Sequence, residues 1–170
     1  MNVESLFLQF STAKLRQFTD RIEVCFGKLT EAQIWTRGGE NENAVGNLAL
    51  HLNGNVRQWI VTTLGNNPST RDRDSEFSAR QGHTPAELGA ALRQTIEEAV
   101  QVISGLDTDR LTRMYEIQNY RVSGVEAVYH VVEHFAEHTG QIIYATKALT
   151  GEDMGFYGHL RNTGRSEQVP

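Results

Sequence analysis

Apolar side chains recur at alternating steps of three and four residues along four segments of the chain, and no segment keeps the alternation of a strand. This spacing places them on one stripe of an amphipathic helix. The first segment predicts a helix over about residues 3–27, which ends at Gly27, and a new capping box begins at Thr30. Its stripe contains Leu15, Phe18, Ile22, Cys25 and Leu29.

The second and third segments have the same apolar period. The second predicted helix ends near Gly65, and its stripe contains Val45, Leu48, Leu52, Val56, Trp59 and Ile60. The third begins with Thr84 as its N-cap, Pro85 at the first helical position and Glu87 as the capping-box partner. It ends at Gly105. Its stripe contains Leu88, Leu92, Ile96, Ala99, Ile103 and Leu106.

The fourth predicted helix begins at the capping box of Ser123 and Glu126 and extends to Gly151. Its stripe contains Val128, Val131, Phe135, His138, Ile142, Ala145 and Leu149. Two longer stretches separate the last three helices. Residues 66–83 are polar and charged, so they are interpreted as a surface connection, and residues 107–122 as a second long connection.

Four amphipathic helices with one apolar stripe each predict an all-α fold, and specifically a four-helix bundle. A chain of 170 residues has the size of one domain. Such a chain can bury roughly two-thirds of its unfolded surface without needing a disulfide or a metal to fold. We therefore expect one helical domain over residues 1–160 and a polar C-terminal tail over residues 161–170.

Composition and charge narrow the class of protein. The chain has 16 Lys and Arg against 21 Asp and Glu, a net charge of −5, and its basic residues are scattered. This argues against a nucleic-acid or anionic-membrane partner. The single cysteine, Cys25, excludes an internal disulfide framework and is interpreted as a small buried residue. No apolar run approaches the ~20 residues of a membrane span, and MNVESLF does not resemble a signal peptide, so we expect a cytoplasmic protein.

The histidines are the residues with candidate chemistry. In the fourth predicted helix, His130, His134 and His138 recur every four residues and so share one helix face. The six histidines of the chain would give roughly 0.2 such pairs by chance, and this helix has two. His51 lies beside the stripe of the second helix. Two histidines on one helix and a third on a facing helix can hold a divalent transition metal at about 2.1 Å, with positions left open for water or substrate.

Structural interpretations compete with this chemistry. A lone core histidine such as His51 is more often hydrogen-bonded than metal-bound, so the hypothesis depends on the combination of histidines. A histidine side chain that faces the interior of the bundle needs a hydrogen-bond or metal partner for each ring nitrogen. Glu126, Glu133 and Glu137 flank the histidine column, and one of them could accept a hydrogen bond or act as a base. Solvated carboxylates are the simpler interpretation of all three.

The remaining histidines and the larger aromatic residues have simple interpretations. His83 and His159 fall in a predicted loop and tail, where solvated side chains are expected. Trp59, Tyr129 and Tyr144 are interpreted as packing residues rather than a cofactor site.

Three segments carry distinctive motifs: GNLALHLNGNVRQWI (46–60), YHVVEHFAEHTGQIIYATKALTG (129–151) and MGFYGHL (154–160). Together they resemble the DinB-like superfamily, and within it a branch described as a domain of unknown function. The resemblance spans nearly the whole chain. It implies a four-helix bundle with a three-histidine metal site, usually in a homodimer. By this resemblance the metal ligands would be His51, His134 and His138, with His130 as a supporting or alternative residue.

Characterised relatives in that superfamily are metal-dependent transferases or isomerases that use bacillithiol, mycothiol or glutathione. The resemblance therefore implies a thiol S-transferase that acts on small electrophiles in stress or detoxification. Its cofactors would be a divalent transition metal (zinc, nickel or iron) and the thiol, whose pKa the metal would lower from about 8.5. Two other classes stay open: a hydrolase that uses a metal-activated water, and a non-enzymatic metal-binding stress module.

Overall fold

The computed structural model describes residues 2–69 and 71–158, and helices dominate it. In chain order the elements are α1 (Val3–Phe26), α2 (Glu31–Ile34), α3 (Val45–Val56), a π-helical segment (Arg57–Leu64), α4 (Arg73–Ser78), α5 (Pro85–Ser104), α6 (Thr108–Thr112), β1 (Met114–Ile117), β2 (Tyr120–Ser123) and α7 (Gly124–Thr150). The four predicted helices correspond to α1, α3 with the π-helical segment, α5 and α7. Their boundaries agree with the sequence expectations to within a residue or two.

Side-chain caps fix where α2, α5 and α7 begin. The hydroxyls of Thr30, Thr84 and Ser123 each accept a hydrogen bond from the backbone N–H three residues later. In all three boxes the glutamine or glutamate at that later position accepts in return from the backbone N–H of the cap. The three predicted capping boxes are therefore confirmed. Each satisfies two N–H groups that the first turn of a helix leaves unpaired.

The four long helices surround one apolar core. α1 packs against α5 and α7, and α3 packs against the same two helices from the other side. Every helix thus buries its stripe against two neighbours. The large side chains that are fully enclosed include Leu15, Ile22, Leu52, Ile60, Leu92, Ile96, Phe135 and Ile142. Cys25 is also fully buried, as expected, with its Sγ 3.8 Å from the Sδ of Met154.

The two connections contain more structure than the sequence pattern indicates. Residues 107–122 form α6 and most of an antiparallel hairpin of β1 and β2, in which Tyr115 lies opposite Val122. The expectation of no strand is wrong here because four-residue strands are too short to show alternation. Gln118 and Asn119 turn the hairpin with φ of 51° and 66°, as the central residues of a type I′ turn require. Residues 66–83 contain α4.

Two aromatic side chains face solvent against expectation. Trp59 is buried, but Tyr129 is 60 % and Tyr144 is 77 % exposed, so their interpretation as packing residues is wrong. They lie on a face of α7 that points away from the core stripe. His138 lies at the edge of that stripe and is half-buried rather than enclosed. His159 and the predicted tail 161–170 lie outside the described residues. None of the helices within 2–69 and 71–158 has the length and apolarity needed to cross a membrane.

Candidate metal centre

Three imidazole rings converge between α3 and α7. The Nε2 atom of His134 lies 3.1 Å from Nε2 of His51 and 3.2 Å from Nε2 of His138. One nitrogen from each ring lies within 4.8 Å of the others. α7 presents His134 and His138 on one face because they are one turn apart, and α3 packs beside that face with His51. The tertiary structure therefore brings together the three residues that the family resemblance implied as ligands.

The Nδ1 atom of His51, which points away from the other two rings, contacts the buried ion pair of Glu76 and Arg71. Nδ1 of His51 lies 3.0 Å from Oε2 of Glu76, and the side chains of both residues are 8 % exposed. Arg71 binds the same carboxylate at both oxygens, with Nε 2.7 Å from Oε1 and Nη2 2.8 Å from Oε2. Because a carboxylate can only accept, the Nδ1–H of His51 donates to Glu76. The Nε2 of His51 therefore presents its lone pair to the centre of the cluster.

Burial raises the pKa of Glu76, but the hydrogen bonds from Arg71 and His51 outweigh it and hold that pKa below its usual range. The carboxylate thus stays ionised as a hydrogen-bond acceptor for His51.

Two residues of α3, Gly54 and Asn47, make room for Glu76 and hold it in position. A Cβ atom on Gly54 would lie 2.0 Å from Oε1 of Glu76, so only glycine leaves room for the side chain. Asn47, one turn before His51, is fully buried and donates to the backbone carbonyls of Glu76 and Ala79, both at 2.9 Å. These contacts dock α4 onto α3 and set the position of Glu76.

The other two rings differ in how their outer nitrogens are paired. Nδ1 of His138 lies 2.8 Å from Oε1 of Gln141 and donates to it, so its Nε2 also carries a lone pair. Nδ1 of His134 is buried without a hydrogen-bond partner. Burial and the neighbouring imidazoles of His138 and His51 lower the pKa of His134 to about 3. Burial likewise lowers the pKa of His138 and of His130. Neutral imidazoles, the form that binds metals, are thus favoured here.

The donor set fits a transition metal ion. Two nitrogens at about 2.1 Å from one metal, at octahedral or tetrahedral angles, are about 3.0–3.4 Å apart. The two Nε2 distances of His134, 3.1 and 3.2 Å, fall in that range. Lone pairs facing one another at this distance repel unless a proton or a cation lies between them. The group formed by His51, His134 and His138 can therefore hold a metal ion.

A pocket of about 440 Å³ opens beside the cluster and is lined by His51, Asn55, Trp59, Arg73, Gln118, Tyr120, Val122, Glu126, His130 and His134. This volume lies within the range of about 300–1,000 Å³ typical of small-molecule sites. The pocket lies between the π-helical segment, the hairpin and α7. His130 is outside the convergent group, and its ring centroid is 4.0 Å from that of Trp59, so it forms part of the pocket wall.

Hydrogen bonds connect the ion pair to the hairpin. Arg71 donates from Nη1 to Oε1 of Gln58 at 2.7 Å, and Gln118 donates from Nε2 to the same oxygen at 2.7 Å. Gln118 in turn accepts from Nε1 of Trp59 at 3.4 Å. Gln58 and Trp59 belong to the π-helical segment, a geometry that occurs frequently at functional sites. The hairpin turn is thereby fixed against the wall of the pocket.

The acceptor for a histidine comes from an unexpected part of the chain. Of the three candidate glutamates, Glu126 accepts from Ser123 in the helix cap, while Glu133 and Glu137 are exposed. Glu76 is the acceptor instead, and Arg71 donates to its carboxylate. Both lie in the stretch interpreted as a surface connection, and that interpretation is wrong for these two side chains. Its charge-rich sequence carries no signal that distinguishes a buried ion pair from solvated residues. His83 is exposed, as expected.

Comparisons with known proteins place the chain in a family. No curated protein matches it. A crystal structure described as a conserved protein from Enterococcus faecalis has the same fold, with a TM-score of 0.74 and 16 % sequence identity, over 89 % of this chain and 99 % of that chain. A family model described as a protein of unknown function (DUF1572) matches residues 2–159. The chain therefore belongs to the DUF1572 family of helical proteins.

Proposed function

We propose that this protein is a DinB-like metalloenzyme that transfers a low-molecular-weight thiol to a small electrophile. One observation carries the proposal: the lone pairs of His51 and His138 converge with Nε2 of His134 beside a pocket of about 440 Å³. A site that served structure alone would be closed by a fourth protein ligand, whereas three ligands and an adjoining pocket are typical of catalytic sites.

In this proposal His51, His134 and His138 hold a divalent transition metal: zinc, nickel or iron. Such an ion would supply Lewis acidity and an open position that favours the thiolate form of a bound thiol. Glu76 and Arg71 orient His51 through its Nδ1–H. Trp59 and the hairpin would form the walls around the electrophile.

Several finer expectations belong to the same proposal. The ring of four long helices is consistent with the four-helix bundle of the DinB-like superfamily, and the sequence motifs favour that assignment. Homodimer formation and a cytoplasmic location also follow from the resemblance and from the composition. The partners would be a small electrophile and a thiol.

The first test is metal content. Protein purified without a nickel column should contain close to one equivalent of a transition metal by elemental analysis. His51→Ala should lose most of it, while His83→Ala, a change to an exposed histidine, should not. Full metal retention in His51→Ala would contradict the site, because the remaining ligands would then all lie on α7.

The second test is the reaction. Metal-loaded protein is mixed with monochlorobimane and, separately, bacillithiol, mycothiol, glutathione or cysteine, and the fluorescent thioether is followed. The sulfur–carbon bond forms as chloride leaves. We expect one thiol to be consumed faster than the uncatalysed rate, and the excess to disappear in His51→Ala. No acceleration with any thiol would contradict S-transfer on this electrophile, and turnover of an ester probe without thiol would favour a hydrolase.

A further inference from the structure

Arg73 places a positive charge at the exposed side of the pocket beside the histidines. It is the first residue of α4, is exposed, and belongs to the pocket lining. Its guanidinium lies over the ring of Phe77, 4.9 Å from the centroid, and this contact restricts its position. Among residues 2–69 and 71–158, no acceptor forms a hydrogen bond or an ion pair with it. Its N–H donors are therefore available to a ligand.

Two other charged groups at the pocket show the contrast, because both serve the fold. Arg71 is 6 % exposed and donates to both carboxylate oxygens of Glu76, and its remaining terminal nitrogen donates to the π-helical segment. Glu126 lines the pocket and accepts from the backbone N–H and the hydroxyl of Ser123, both at 2.7 Å. The charge of Arg73 has no such structural partner.

Phe77 connects Arg73 to the metal cluster. Its ring centroid lies 4.7 Å from that of His51 and 4.9 Å from Cζ of Arg73. The guanidinium is thus no farther from the His51 ring than the sum of these two distances. In N-acetylcysteine about 4 Å separates the sulfur from the carboxylate carbon, and a bidentate pair spans about 4 Å more to the guanidinium carbon. A thiol whose sulfur lies at the cluster can therefore place its carboxylate at Arg73.

The chemistry of a guanidinium determines which thiols it can distinguish. A guanidinium recognises a carboxylate through two parallel N–H donors, and this geometry is more specific than that of an ammonium group. Bacillithiol, glutathione and cysteine each carry a carboxylate, whereas mycothiol carries none. An arginine in this place thus favours the first three thiols.

We propose that Arg73 binds the carboxylate of the thiol substrate and so selects an anionic thiol over mycothiol. This assignment rests on the proposed function, since it takes the metal cluster as the place where the sulfur binds. The thiol proton goes to solvent, an electron pair of the sulfur forms the bond to the carbon of the electrophile, and the leaving group departs with the electrons of the broken bond. The electrophile lies against Trp59 and Tyr120, on the other part of the pocket lining.

Two probes that differ in this charge test the assignment: N-acetylcysteine and its amide. Their dissociation constants are measured by titration calorimetry on zinc-loaded protein without oxygen, and zinc content is measured again afterwards. The ratio of the two constants is compared between proteins, because any difference in thiol acidity between the probes then cancels. Arg73→Gln should lower the preference for N-acetylcysteine about five- to tenfold, a modest value for a charge-assisted pair because the arginine is exposed.

Matched variants show whether the effect belongs to this side chain. Arg121→Gln removes the same charge from an exposed arginine outside the pocket lining and should leave the ratio unchanged. Arg73→Lys keeps the charge without the bidentate geometry and should keep part of the preference. The proposal is overturned if Arg73→Gln changes the ratio by less than about twofold, if both glutamine variants lower it equally, or if the wild-type protein binds neither probe.

The visible spectrum of cobalt-loaded protein separates this assignment from the proposed function, because a thiolate bound to cobalt gives an intense absorption band. A band with both probes, together with a ratio that does not depend on Arg73, would refute the assignment and leave the thiol function in place. A ratio that depends on Arg73, without a band for either probe, would refute sulfur binding at the metal and leave the carboxylate site in place.

Discussion

Replacing Gly54 by alanine should destabilise the protein, whereas a glycine-to-alanine change within a helix usually stabilises it. At an open helical position this substitution stabilises a protein by about 0.5–1 kcal/mol, because alanine has less backbone entropy to lose. On α3 the new Cβ atom would lie 2.0 Å from Oε1 of Glu76 and 2.9 Å from Nε of Arg71. Real Cβ atoms do not approach other heavy atoms so closely, so the carboxylate has to move.

The magnitude follows from what holds that carboxylate. Glu76 is fixed by two hydrogen bonds from Arg71 and one from His51, in a region where both ion-pair side chains are less than a tenth exposed. Breaking a buried ion pair costs about 3–5 kcal/mol. After the propensity gain is subtracted, Gly54→Ala should lower the free energy of unfolding by about 2–4 kcal/mol. Because His51 also loses its acceptor, metal affinity should fall about 10–100-fold.

The assay is denaturant unfolding of metal-free protein, followed by zinc titration with a competing chelator. Gly140→Ala is the matched control, since Gly140 lies within α7 and a Cβ there would meet nothing within 4 Å. The control should gain about 0.5–1 kcal/mol in the free energy of unfolding. If Gly54→Ala is as stable as the control and binds zinc like the wild type, then Arg71 and His51 do not hold the Glu76 carboxylate in the described position.

Four further outcomes are expected. Glu76→Gln should raise the Kd for zinc about 10–100-fold, while Glu97→Gln, a change in an exposed ion pair, should leave it unchanged; equal Kd values would contradict the role of Glu76. His134→Ala should lose bound metal by elemental analysis and His83→Ala should keep it, and retention in both would argue against the cluster. In metal-free protein the pKa of His134 is about 3 when folded against about 6.5 unfolded, so the unfolded chain takes up the proton first. The free energy of unfolding should therefore decrease as pH falls from 6.5 towards 3, by up to about 1.4 kcal/mol per unit for this group, and His134→Gln should flatten the profile. Sedimentation should give about twice the chain mass of 19.1 kDa, and a single monomer peak would count against the homodimer.

The helices and the column of histidines on the last helix could be predicted from the sequence alone. Helix positions follow from a local period of apolar residues, and their starts follow from side chains that cap N–H groups within three residues. The column of His130, His134 and His138 is equally local, because residues four apart share a helix face. The choice of His134 and His138 within it, with His51, came from the family resemblance. Such features depend on few neighbours along the chain, so they can be predicted before any packing is known.

The groups that complete the site become apparent only in the folded protein. Glu76 reaches His51 from 25 residues away, and it does so through α4, a short helix whose sequence is indistinguishable from a solvated segment. The pocket wall likewise requires the hairpin, whose strands are too short to give a periodic signal. Contacts between distant segments depend on how whole helices pack, and burial of an ion pair is a property of that packing. The pattern of charges along the sequence does not show which ion pair will be buried.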